Sequence, residues 1–121
     1  MIKFTIAGNE EEFAFNIKFI RELDKTVVSN VNNIQFSVGV GVNINRFVMD
    51  GDVLALETIL IAANRAANGS LNVNALDDFL DADSTDIDDI SKQVMDALET
   101  GKFTKQRVAK ARAEQEVAQA N

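Results

Sequence analysis

The chain opens on a period of two. Ile2, Phe4 and Ile6 alternate with Lys3 and Thr5, the mark of a half-buried strand. Ala7-Gly8-Asn9-Glu10 carries turn chemistry, because Gly and Asn tolerate positive φ. Phe13 and Phe15 resume the alternation on a return strand, and Glu10, Glu11 and Glu12 keep the turn and the start of that strand wet. A hairpin over residues 2–15 is therefore expected. Asn16 then stands as an N-cap. Ile17, Ile20 and Asp24 fall on one helical stripe with Phe19 and Leu23 beside it, giving about two turns. A helix this short is marginal alone and must be held by packing, most simply on the Phe-rich face of the hairpin.

Residues 26–35 read as a loop rich in Asn and Ser. The next segment supports two readings. Phe36, Val38, Val40, Val42 and Ile44 alternate with small or polar residues, which favours a strand. The rival is a helix over about Val38 to Met49 with Val40, Ile44 and Phe47 as its stripe, weakened by Gly39 and Gly41 at up to about 1 kcal/mol each. Gly51-Asp52 opens the clearest helix, where Val53, Leu56, Leu60, Ala63 and Ala67 step by three and four. Leu54, Ile59 and Ile61 widen that stripe until the helix reads as mostly buried. Asn68-Gly69 stops it. Asn72 caps a helix bearing Val73, Leu76, Phe79 and Leu80. Thr85 with Asp88 resembles a capping box for a helix with Ile87, Ile90, Val94 and Leu98, which ends at Gly101. The fold class expected is α+β and mainly helical, with a small N-terminal hairpin followed by four to five helices in a single domain over residues 1–101. Residues 102–121 favour helix locally but lack a sustained apolar stripe, so they read as a basic tail that is frayed or ordered only on a partner.

Composition narrows the function. The 121 residues contain no Cys, His, Tyr, Trp or Pro. The lack of Cys and His removes disulfides, the usual zinc, copper and haem ligands, and every His- or Cys-based nucleophile. No cofactor and no metal is expected, and an enzyme is a distant possibility. No apolar run approaches the 18 or so residues of a membrane span, and no basic segment leads into an apolar stretch, so neither a membrane nor a secretory route is expected. The net charge of −7 is uneven. Residues 70–101 hold nine acidic and one basic side chain, and residues 102–121 hold five basic and two acidic. An acidic body argues against nucleic acid as a partner.

The acidic run from Asp77 to Asp89 fails as a calcium loop. Counted from Asp81, the position that needs Gly is Asp86 and the one that needs Glu is Lys92. Asp86, Asp88 and Asp89 instead suit a helix N-terminus. Gly39-Val40-Gly41 lacks the third Gly or the lysine of a nucleotide loop. No pair of carboxylates is singled out for acid–base work.

The order of segments resembles a known family. A KFTI strand, a Gly/Asn turn, a second strand and FNIKFIRELDK are followed by FSVGVGVNINRFVMDGDVLALETIL, an acidic helix pair and a basic tail. This is similar to the tail assembly chaperones of long-tailed bacteriophages, in the branch common among phages of Gram-positive hosts. The likeness spans roughly residues 2–108 and is strongest over Ile17–Asp24 and Gly51–Leu56. It implies a mainly helical protein, and so the helical reading of Val38 to Met49. It also implies a chaperone that coats the helical tape measure protein, keeps it soluble and yields to the major tail protein, which a frameshifted longer form recruits in many phages. Self-association, a place in the host cytoplasm and absence from the finished virion are implied with it. Phe19, Leu23, Phe47 and Met49 are the candidate contact residues for self or client, although large apolar side chains are more often core. The rival functions are an acidic regulator or DNA mimic, drawn from residues 70–101, and a structural tail-completion or connector protein.

Overall fold

The structure is a computed structural model and describes residues 1–120. The N-terminal alternation closes into an antiparallel hairpin, β1 (Ile2–Ile6) with β2 (Asn9–Phe13), Ile2 opposite Phe13 and Ile6 opposite Asn9. The turn is only Ala7-Gly8, at φ 52° and 81°. Positive φ at both central positions is the two-residue turn whose twist matches the strands. Ile6 and Phe13 are buried, and Phe4 stacks between Phe13 and Phe79 at 5.6 and 5.9 Å.

Helix α1 (Ile17–Asp24) starts at Asn16, whose side chain accepts from Phe19 N–H. It lies on the central helix α3 and on α2 rather than on the hairpin, which itself packs on α3. The expected anchor is met in part, since Phe15 just after β2 stacks on Phe19 at 4.9 Å, while α3 supports both elements. The expected loop is corrected. Most of residues 26–35 falls in a second hairpin, β3 (Val28–Val31) with β4 (Ile34–Ser37), turned at Asn32-Asn33 with φ 52° and 67°. Two consecutive Asn residues do what Ala-Gly does in the first hairpin, because Asn also enters the left-handed region.

Both readings of residues 36–45 hold part of the truth. The strand ends at Ser37, and helix α2 runs over Gly39–Asp50. Ile44 and Phe47 are buried on its stripe and Val40 is half-buried. Gly39 explains the break. A Cβ there would stand 2.0 Å from the Leu23 carbonyl oxygen and 2.7 Å from that of Asp24, so only Gly lets the start of α2 meet the end of α1. Asn43, also buried, donates to the Gly39 carbonyl and to Thr26 Oγ1 at 2.8 and 3.1 Å and locks that corner. The Gly39-Val40-Gly41 run is a packing device.

Helix α3 (Val53–Ala66) is capped by Asp52, which accepts from the Leu54 and Ala55 N–H groups and pairs with Arg46 at 2.7 Å. These contacts, Ala55 first, hold its carboxyl below the usual range. Helix α4 (Val73–Asp81) is capped by Asn72 as expected. Helix α5 (Ile87–Thr100) is capped by Asp86, one residue beyond the expected Thr85. Thr85 instead donates its hydroxyl to the Phe79 carbonyl at 2.6 Å and fastens the end of α4.

The C-terminal segment departs furthest from expectation. Lys105–Ala120 form helix α6, which packs on α2 and α5. Thr104, Val108 and Ala111 are buried beneath it, and Gln115 Nε2 donates to the Met49 carbonyl at 3.0 Å. Arg112 pairs with Glu99. The larger apolar residues, Phe103 and Val117, face solvent. Small side chains let helices approach closely, so a stripe of Thr, Val, Ala and Gln docks where a scan for large apolar residues finds nothing. The described residues hold six helices, one more than the upper expectation.

Candidate partner-binding surface

The structure places the four candidate contact residues plainly. Phe19 and Leu23 are 0% exposed and Phe47 4%, all in the core, and Met49 is half-buried beneath α6. Phe19, Leu23 and Phe47 thus present no apolar face outward. Besides Met1, Ile17, Phe103 and Val117, the large exposed apolar side chains fall in two groups.

The first group is the β3–β4 hairpin. Val28, Val31, Ile34 and Phe36 are each about half exposed, between 46% and 57%. The segment Thr26–Asn45 contains no charged side chain, the longest such stretch in a chain where 26% of residues are charged. The sequence signal was present as an Asn-Asn turn between two β-branched runs, but Asn-rich composition reads equally well as loop.

The second group lines grooves beside α3. Glu22, Lys25, Thr58, Ile61, Arg65 and Val73 surround an open groove of about 430 Å3 between α1, α3 and α4. A neighbouring groove has Val53, Leu54 and Leu80 as its apolar wall, with Glu57, Asp77 and Asp81 at its rim. Val53 and Leu54 are 51% and 64% exposed. Glu57 borders both grooves. Burial, then its hydrogen bond to Asp77, then repulsion from Asp77 and Asp81 push its carboxyl up to about 7. Sequence spacing could not reveal this pair, since twenty positions separate Glu57 from Asp77 and only the packing of α4 on α3 joins them. Glu57 is thus a perturbed carboxyl within a groove of apolar wall and acidic rim.

Three of the nine acidic side chains in the segment 70–101 serve local structure. Asp86 caps α5, Asp88 and Asp89 sit in its first turn, and Asp89 accepts from Gln93. Among the described residues no group of three or more metal-ligating side chains is gathered. No helix among them is long and apolar enough to cross a membrane.

The structure is thus that of a small, mainly helical α+β protein with exposed apolar side chains beside α3 and on the second hairpin. The family model for phage tail assembly chaperone protein, TAC, matches residues 3–112, and the chain belongs to that family. The role that defines this family is in tail assembly and is non-enzymatic. Neither a curated protein nor a solved structure matches the chain significantly.

Proposed function

We propose that this chaperone binds the tape measure protein of its phage, keeps it soluble in the host cytoplasm and helps recruit the major tail protein as the tube forms, without entering the finished virion. The observation that carries the reading is the family match over residues 3–112. The surface chemistry supports it. A long helical client offers apolar anchors at i, i+3, i+4 and i+7, and such anchors dock in apolar grooves. The groove between α3 and α4 offers Val53, Leu54 and Leu80 with Glu57, Asp77 and Asp81 around them, and the neighbouring groove adds Ile61 and Val73 with both signs of charge, Glu22 beside Lys25 and Arg65. The first suits a helix with apolar anchors and flanking Lys or Arg. Recruitment of the major tail protein is assigned to a longer, frameshifted form of the chain.

Co-expression with the tape measure protein of the same genome tests the reading. The client should move from the pellet to the soluble fraction and co-purify with this chain, and Leu54→Asp should reduce the recovered complex. A client equally insoluble with and without the chaperone defeats the proposal. Mass spectrometry of purified virions adds a second check, because this chain in mature particles would make it a structural component instead.

A further inference from the structure

We infer that the β3–β4 hairpin is a strand-pairing interface between two copies of this chain. A lone two-stranded hairpin is marginal in water unless a further strand or a helix covers its apolar face. The first hairpin meets that need within the chain. Ile6 and Phe13 are buried on one face, and Lys3 pairs with Glu10 and Glu12 on the other. The second hairpin does not. Val31 stands opposite Ile34 and Ser29 opposite Phe36, so Val31, Ile34 and Phe36 share one face, and all three are about half exposed.

The free edge has a definite polarity. The Val38 N–H donates to the Val27 carbonyl at 2.9 Å. Hydrogen-bonded and non-bonded pairs alternate along an antiparallel ladder, so the pairs 29 with 36 and 31 with 34 are bonded inward. Gln35 and Ser37 therefore turn their N–H and C=O groups out to the free edge of β4. Proteins guard such edges with Lys, Pro, bulges or a covering element. Here the chain has no Pro, and Thr26–Asn45 has no charge.

The occupant that fits is a second copy. At net charge −7 two copies repel, and they meet most easily where neither carries charge. A charged partner finds no complementary group on this hairpin. Antiparallel pairing of β4 with β4 of the second copy, on a two-fold axis through Gln35, joins the outward N–H and C=O groups. It also sets Ile34 beside Phe36 of the second copy. The product is a closed four-stranded sheet with one continuous apolar face. The inference concerns the chain alone and is independent of which client it binds.

Sedimentation of the purified full chain over a range of concentrations, with amide hydrogen exchange on the same samples, tests this. The wild type should dimerise reversibly, and exchange at Gln35 and Ser37 should slow as concentration rises. Gln35→Pro removes an outward donor that β3 does not use, and Phe36→Lys adds the missing guard charge at an exposed position. Each should weaken dimerisation at least about tenfold with the far-UV circular dichroism unchanged. Should the proline variant lose its fold, Phe36→Lys and the wild-type exchange data decide. A wild type that stays monomeric up to its solubility limit overturns the inference. So does a folded Phe36→Lys variant that dimerises as tightly as wild type, or a dimer whose formation leaves Gln35 and Ser37 exchange unchanged. Protection of those amides by client alone, in a chain otherwise monomeric, also overturns it and gives the edge to the client.

Discussion

Asn64 and Gly69 form a two-residue lock whose energetics can be worked from the structure. Asn64 lies on α3 and is 0% exposed. Its Nδ2 donates to Glu11 Oε2 at 3.0 Å and to the Glu12 carbonyl at 3.1 Å, and its Oδ1 accepts from Leu71 N–H at 3.0 Å. One amide thus ties β2, α3 and the segment leading into α4. A Cβ at Gly69 would stand 2.3, 2.4 and 2.5 Å from Oδ1, Nδ2 and Cγ of Asn64. Gly69→Ala must therefore push the amide off its partners. Three bonds at about 1 kcal/mol each, with a further penalty for any buried group left unpaired, give a loss of about 3–4 kcal/mol. Asn64→Ala loses the same bonds and should cost about as much. For a chain of this size each kcal/mol lowers Tm by about 3–4 °C, so each variant should melt roughly 10–15 °C early. The double variant separates the mechanisms. With Asn64 truncated, the new methyl enters vacated space and adds little, so the pair should lose about as much as Asn64→Ala alone. Independent effects would instead sum to about 7 kcal/mol, enough to unfold many domains. The assay is urea or thermal unfolding followed by far-UV circular dichroism. Additivity within about 0.5 kcal/mol refutes the lock.

Two further expectations follow from the same coordinates. Gly39→Ala drives a Cβ into the backbone carbonyls of Leu23 and Asp24 and should cost about 4 kcal/mol or more, whereas Gly41→Ala meets only the flexible end of Arg107 at 3.3 Å and should gain up to about 1 kcal/mol of helix propensity; comparing their melts checks both. Burial and the neighbouring Asp77 push the Glu57 carboxyl from its ordinary 4.5 up to about 7, so the native state holds the proton more tightly and the wild type loses stability as pH rises from about 4.5 through 7. Glu57→Gln should remove that loss, with unfolding curves that match wild type near pH 4 and exceed it at pH 8; equal curves at pH 8 would show that Glu57 is not under charge stress.

Local patterns were legible where one element satisfied its own ends. Asn16, Asp52 and Asn72 are N-caps, and each bonds its own helix, so the signal sits within three residues. The central stripe of α3 was legible because its apolar positions repeat over 14 residues. The β3–β4 hairpin was not, because its strands are four residues each and their polar face is Asn, Gln and Ser rather than charged residues. The alternation from Phe36 to Ile44 misleads for a related reason. Val40 and Ile44 satisfy a period of two and a separation of four at once, and the close approach of Gly39 to α1, which no periodicity encodes, decides for the helix from that point.

The surface was less legible than the fold, and the cause is the same for each residue involved. Phe19, Leu23 and Phe47 are large and apolar, which is as good a reason to be core as to be contact, and burial settles them as core. What remains exposed owes its character to neighbours far away in sequence. Glu57 is a perturbed carboxyl only because α4 brings Asp77 and Asp81 against α3. Val31, Ile34 and Phe36 form a face only because Asn32 and Asn33 turn the chain between them. The two exposed surfaces also differ in chemistry. The groove of Val53, Leu54 and Leu80 combines an apolar wall with carboxylates, and the β3–β4 edge is apolar and free of charge. A basic amphipathic helix complements the first and gains nothing electrostatic from the second, while a second copy of an acidic chain is repelled at the first and not at the second. The two proposed contacts therefore rest on different chemistry and different surfaces, so neither need displace the other.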